Sequence, residues 1–247
     1  MPLIVCQSRE ELGQKAGAEG ARLLREAIGE RGAANLILAT GTSQFGMLTV
    51  LRAAPGIAWE QVTGFHLDEY VGLAESHPAS FRRYLKERFV GRLPFRAFHY
   101  LNGEGDPEAE CQRVGEILRR HPIDVAFVGI GENGHLAFND PPADFQTEAP
   151  YLVVTLDAAC RRQQLGEGWF QRFEDVPRQA ISMSARQIMK SRHIICAVPE
   201  ARKAEAVKQC FAGPVRPEAP ASILQQHERA LVYLDSDSAA LLRRKGA

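Results

Sequence analysis

Apolar runs of strand length alternate with helical patterns along this chain, and that alternation restricts its fold more than any other feature. Leu36-Ile37-Leu38-Ala39, Val62-Thr63-Gly64-Phe65-His66 and Asp124-Val125-Ala126-Phe127-Val128 read as strands, with later ones at Leu152 to Thr155, His193 to Ala197 and Ala230 to Leu234. Helices are predicted over Ser8 to Arg31, Gln44 to Ala53, Pro78 to Val90, Asp106 to Arg120, Glu200 to Phe211 and Ser236 to Arg244. Ser8 with Glu11 forms a capping box, and Asp106-Pro107 supplies an N-cap with proline in the first helical position. Such a pattern predicts an α/β fold with an open, mainly parallel, doubly wound sheet flanked by helices. No repeat or linker interrupts the 247 residues, so a single domain over 1–247 is expected.

Lys and Arg number 30, as do Asp and Glu, which leaves no global field to attract nucleic acid or an anionic membrane. Any anion must be held by a local arrangement. Cys6, Cys111, Cys160, Cys196 and Cys210 are dispersed and lack disulfide-framework or zinc spacing, and no apolar run approaches a membrane span or a signal peptide. These features point to a cytoplasmic protein with reduced thiols and no zinc-ligand pattern among its cysteines.

In an open α/β sheet, ligands bind at the carboxyl ends of strands, and four chemically loaded segments fall there. Thr40-Gly41-Thr42-Ser43 lies between a strand and a helix, where small residues, hydroxyls and free N–H groups suit a phosphate. An ordinary turn with a serine cap fits that stretch equally well. Asp68-Glu69 follows the next strand. Neighbours on extended backbone face opposite ways, so one carboxylate would face a cleft as a carbon base and the other would support it, unless the pair is merely a solvated acidic loop.

The third segment, Gly129 to Pro142, contains G-x-G-x-x-G after a strand, yet Pro141-Pro142 forbids the long helix that a dinucleotide site needs. Its glycine-flanked His135, followed by Asn139 and Asp140, instead has the look of a catalytic loop. The fourth opens a helix with Arg202-Lys203, cations that either serve an anionic ligand or decorate an amphipathic surface.

Together these segments resemble the glucosamine-6-phosphate deaminase family of the 6-phosphogluconolactonase superfamily. The resemblance rests on Asp68-Glu69-Tyr70-Val71-Gly72-Leu73 with His77-Pro78 and Ser80-Phe81, and on Gly131 to Asn139. Leu101-Asn102-Gly103 with Ala109-Glu110-Cys111, Val176-Pro177 and Lys203-Ala204 add to it. It implies a Rossmann-like three-layer sandwich acting on a small-molecule sugar phosphate without a cofactor. Gly41, Thr42, Ser43 and Lys203 would hold the phosphate, His135 would open the sugar ring, and Asp68 would carry a proton from carbon 2 to carbon 1 as ammonia leaves.

Three departures from the family pattern stand out. Asn133 and Asp140 occupy positions that often carry Asp and typically Glu, both partners of the histidine. The family's phosphate-binding arginine falls on Gly166 in an ungapped comparison, which leaves Arg161 or Arg162 as substitutes. The basic residues of an allosteric site fall on Leu152 and Val154, so activation by N-acetylglucosamine 6-phosphate is not expected. Lactone hydrolysis on the same scaffold is the alternative enzyme reading, opposed by Tyr70 where those relatives carry arginine. A non-catalytic sugar-phosphate sensor is the alternative outside enzymes. A homo-oligomer is compatible with the sequence, which specifies no interface.

Overall fold

A computed structural model describes residues 1–242. Its strands are β1 (Leu3–Val5), β2 (Ala34–Leu38), β3 (Val62–His66), β4 (Asp68–Tyr70), β5 (Ala97–His99), β6 (Val125–Val128), β7 (Tyr151–Thr155), β8 (Gln179–Met183), β9 (His193–Val198) and β10 (Ala230–Leu234). Its α-helices are α1 (Arg9–Arg31), α2 (Phe45–Ala53), α3 (Phe81–Tyr84), α4 (Pro107–Arg119), α5 (Ala158–Gly166), α6 (Ala185–Met189) and α7 (Ala204–Phe211). Seven strands form one parallel sheet in the order β1-β10-β9-β6-β2-β3-β5.

Alternation along each strand divides the core between the two sheet faces. Ile37, Phe65, Ala126, Ile194 and Val232 pack with α4 and α7 residues on one side. Leu36, Leu38, Phe127, Ile195 and Tyr233 pack with α1 and α2 on the other. From β2 the chain winds outward through β3 and β5, then returns across to β6 and winds the opposite way. The strand order therefore reverses between β2 and β6, where α/β folds open a crevice at their carboxyl ends. Thr40 to Ser43 follow β2 and Gly129 to Pro142 follow β6, so both loops open at that switch point.

β1, β4, β5 and β8 escaped the sequence reading, whereas β7 lies where a strand was expected at Leu152 to Thr155. β4, β8 and β7 make a second, antiparallel sheet, with Asp68 opposite Ser182 and Tyr70 opposite Ala180. β1 and β5 have three residues each, too few to carry a period. The helix expected over Pro78 to Val90 starts at Phe81, where Ser80 caps it. It relaxes into a π-helical turn over Leu85–Phe89.

The helix expected from Ser236 does not form in its described part, 236–242. Asp235 and Ser238 hydrogen-bond each other reciprocally, and turns with mixed i→i−3 and i→i−4 bonds follow. Residues 243 and 244 of that expectation lie outside the described residues. All five cysteines are buried and free. Among the described residues no helix is long and apolar enough to cross a membrane.

Candidate active site

A cleft lies over the switch point, lined by Thr40, Gly41 and Ser43, by Asp68, by Gly131 and His135, and by Lys203. Four segments remote in sequence thus meet in one place. Thr42 is not on this lining; its carbonyl accepts from Arg9 Nη2 at 3.0 Å. Thr40 Oγ1 is buried on the lining with no hydrogen-bond partner among the described residues, an arrangement that favours a polar ligand.

Asp68 and Glu69 divide as alternation requires. Asp68 lines the cleft, while Glu69 turns away, fully buried. The Glu69 carboxylate accepts from Ser80 Oγ at 3.0 Å and from the backbone N–H groups of Tyr70, Phe81 and Arg82 at 2.9, 3.3 and 2.7 Å. It therefore fixes the start of α3 rather than facing a ligand. Gly103 braces the same segment: its carbonyl accepts from Gly72 N at 2.7 Å, and a β-carbon there would collide with the Tyr70 carbonyl. Among the described residues no comparable set of donors reaches Asp68. Burial, with the neighbouring Glu69 charge adding to it, pushes its carboxyl up to about 8.

The loop after β6 is built around His135. Gly131 N donates to the His135 carbonyl at 2.9 Å, and a β-carbon on Gly131 would strike the imidazole. Asp140 Oδ1 lies 3.2 Å from His135 Nδ1. Asn133 Nδ2 donates to Asp140 Oδ1 at 3.0 Å and to Asp157 Oδ2 at 3.2 Å, and its own Oδ1 accepts from His135 N at 3.1 Å. Asp157 N completes the circuit to Asp140 Oδ2 at 2.9 Å, while Asp157 Oδ1 caps α5. Burial alone would raise the Asp140 carboxyl, but His135, Asn133 and Asp157 outweigh it and hold the group below its ordinary range. Ala137 takes a positive φ of 52°, a strained conformation that turns the loop under Phe138 and Asn139. Asn139 Nδ2 then ties the loop to the small sheet through Met183 O at 2.8 Å.

Lys203 is almost wholly buried, and among the described residues no carboxylate lies within 4.0 Å of its ammonium. Burial draws its pKa down to about 8. Neither arginine proposed as a phosphate partner lies on the cleft. Arg161 donates to the carbonyls of Phe173 and Val176 at 2.8 and 2.9 Å and stacks over the Phe173 ring, and Arg162 is exposed. The lining also includes Gln44, Gln163, Gln164 and Glu167, which carried no sequence signal beyond their helical positions. His135, Asp140 and Cys160 bring one potential metal-ligand atom each within 4.8 Å of the others. The Cys160 thiol is pushed far above its ordinary range by burial, which disfavours the thiolate that a metal would require.

Comparison with known proteins agrees with this architecture. Residues 7–233 match the family described as glucosamine-6-phosphate isomerases/6-phosphogluconolactonase. A glucosamine-6-phosphate deaminase of Oenococcus oeni is 35% identical over 246 residues, spanning 99% of this chain and 100% of the relative. A solved monomeric glucosamine-6-phosphate deaminase superposes with a TM-score of 0.88 at 32% identity, covering 98% of this chain and 100% of that one. A 6-phosphogluconolactonase from Shewanella baltica has the same fold, with a TM-score of 0.77 at 21% identity over 94% of this chain and 97% of its own. The chain belongs to the glucosamine-6-phosphate isomerase/6-phosphogluconolactonase family.

Proposed function

We propose that the protein is a glucosamine-6-phosphate deaminase/isomerase, converting glucosamine 6-phosphate and water to fructose 6-phosphate and ammonia. The observation that carries the reading is the convergence of Asp68 and His135 on one cleft that also holds the Thr40 to Ser43 turn and Lys203. The relatives that match nearly the whole chain bear the same name.

In this reading the turn and Lys203 hold the phosphate. His135, kept in place by Asp140 and Asn133, moves a proton at the ring oxygen and opens the pyranose. Asp68 removes the proton from carbon 2 and returns it to carbon 1; water then adds at carbon 2, and ammonia departs. A carboxyl lifted to about 8 is a strong enough base for that transfer, and the amino group on carbon 2 favours its ionised form once the sugar is bound.

Tyr70 fits this chemistry as scaffold: it is fully buried and donates to Gln164 Oε1 at 2.6 Å, packing among Phe81, Phe138 and Phe170. Ammonia release from glucosamine 6-phosphate tests the reading. Asp68→Asn should lower kcat by about 10³-fold or more while the protein stays folded. A folded wild-type enzyme that releases no ammonia, or an Asp68→Asn variant with undiminished turnover, sinks the assignment.

A further inference from the structure

A phosphate monoester carries close to two negative charges at neutral pH, yet among the described residues the cleft lining offers it one cation. Lys203 is that cation, and Glu167 on the same lining opposes it. A phosphate has three acceptor oxygens, so a further charged donor at this wall would add to what Lys203 supplies.

Arg202 is not on the lining itself but stands beside this wall, with Nη2 4.0 Å from Glu167. Its Nε donates to Glu200 Oε2 at 2.6 Å and its Nη1 to Glu132 Oε1 at 3.0 Å. The third nitrogen, Nη2, is 4.0 Å from Glu167 Oε1, beyond hydrogen-bond reach, and donates to no acceptor among the described residues. The guanidinium is thus pinned at two corners, with its remaining NH₂ on the side of a residue that lines the cleft.

The pins are themselves anchored. Glu200 has a φ of 85°, a region that residues with a side chain rarely occupy, and its N–H donates to Asp235 Oδ2 at 2.9 Å. That conformation lets its carboxylate bridge Arg202 and Arg9, and Arg9 in turn holds the Thr42 carbonyl. Glu132 N donates to Gln163 Oε1 at 2.8 Å, and Gln163 Nε2 donates to Glu167 Oε1 at 3.1 Å. A side chain fixed in this way loses little freedom when it gains a ligand.

We propose that Arg202 is the second cation for the substrate's phosphate, contributing its Nη2 beside Lys203 while Glu200 and Glu132 keep it in place. The inference rests on the sugar-phosphate reading above. It assigns the role to a residue remote from Arg161 and Arg162, and it ties the turn after β2 to the phosphate subsite through Arg9 and Glu200.

Calorimetric titration with inorganic phosphate, alongside steady-state ammonia release, provides the test. Arg202→Gln should weaken phosphate binding about tenfold or more, the loss expected for one charge-assisted hydrogen bond. KM for glucosamine 6-phosphate should rise by a similar factor with kcat little changed. Arg202→Lys should recover part of the affinity, and inhibition by unphosphorylated glucosamine should be the same in all variants.

A purely structural Arg202, acting through Glu132 on the catalytic loop, predicts the opposite split, with kcat lowered and phosphate affinity intact. That result overturns the proposal, as does equal phosphate affinity in wild type and Arg202→Gln. If the wild-type protein bound neither inorganic phosphate nor glucosamine 6-phosphate, the sugar-phosphate reading itself would fall, and this inference with it.

Discussion

Asp68, buried at the start of β4, and Asp140, partly buried in the loop after β6, are the same side chain in two settings, displaced in opposite directions. Burial raises Asp68 to about 8, with Glu69 adding to the effect. Asp140 is partly buried, yet His135, Asn133 and the Asp157 N–H hold its carboxyl low. The difference teaches that burial alone does not decide the charge of a carboxylate. Donors aimed at it decide, and the fold supplies them in one place and withholds them in the other. Two carboxyls driven apart in this way suit different tasks, one as a proton carrier and one as a fixed anion beside an imidazole.

The largest effect on that contrast should come from removing the anion at position 140. Asp140→Asn keeps the size of the side chain but takes away the negative partner of His135 and presents an amide where Asn133 now donates. Turnover should fall about 10²-fold with binding of inorganic phosphate little changed, because Lys203 and the turn after β2 are untouched. Steady-state kinetics beside phosphate titration measures both; unchanged kcat would show that the carboxylate is not needed.

Asn133→Asp should have a smaller effect, and on stability. The Asn133 amide donates to two carboxylates, Asp140 and Asp157, so an aspartate there would bring three like charges together and lose both hydrogen bonds. Destabilisation of about 1–3 kcal/mol is expected, read as a lowered denaturation midpoint. A neutral or stabilising result would mean that the asparagine is not matched to its two partners.

The position of Asn133 also marks where the sequence was readable and where it was not. Alternating apolar runs disclosed the parallel sheet, because each central strand is buried on both faces and long enough to carry a signal. The loops after β2 and β6 were legible from their glycines and from His135, since those residues are chosen by local backbone geometry. Strand alternation predicted that Asp68 and Glu69 face opposite ways, and the family resemblance named Asp68 as the one toward the cleft. β4 and β5 were hidden by their shortness, and β8 by its place in a small antiparallel sheet whose partners are distant in sequence.

The role of Arg161 was illegible for another reason. Arg161 and Arg162 are near the family position in sequence, but Arg161 turns back on the carbonyls of Phe173 and Val176, a choice made by tertiary contacts. Asn133, which departs from the family pattern, is explained only when Asp157 arrives as the cap of α5 and needs a donor.

The smallest effect concerns the raised carboxyl itself. Asp68 has a folded-state value of about 8 against an ordinary 3.8, so between those limits the folded chain holds a proton that the unfolded chain has released. The stability contributed by this protonated carboxyl is fully present below 3.8 and is lost as pH rises through about 8. Above that, the folded state bears a buried, ionised carboxylate to which no group among the described residues donates. Asp68→Asn removes the titrating group while keeping the polar shape. Its melting temperature should therefore match wild type near pH 4 and exceed it increasingly toward alkaline pH, by about 2 °C or more at pH 8, or ~1 kcal/mol for a chain of this size. A gap between the two proteins that stayed flat, or narrowed as pH rose, would contradict the raised value and erase the contrast with Asp140.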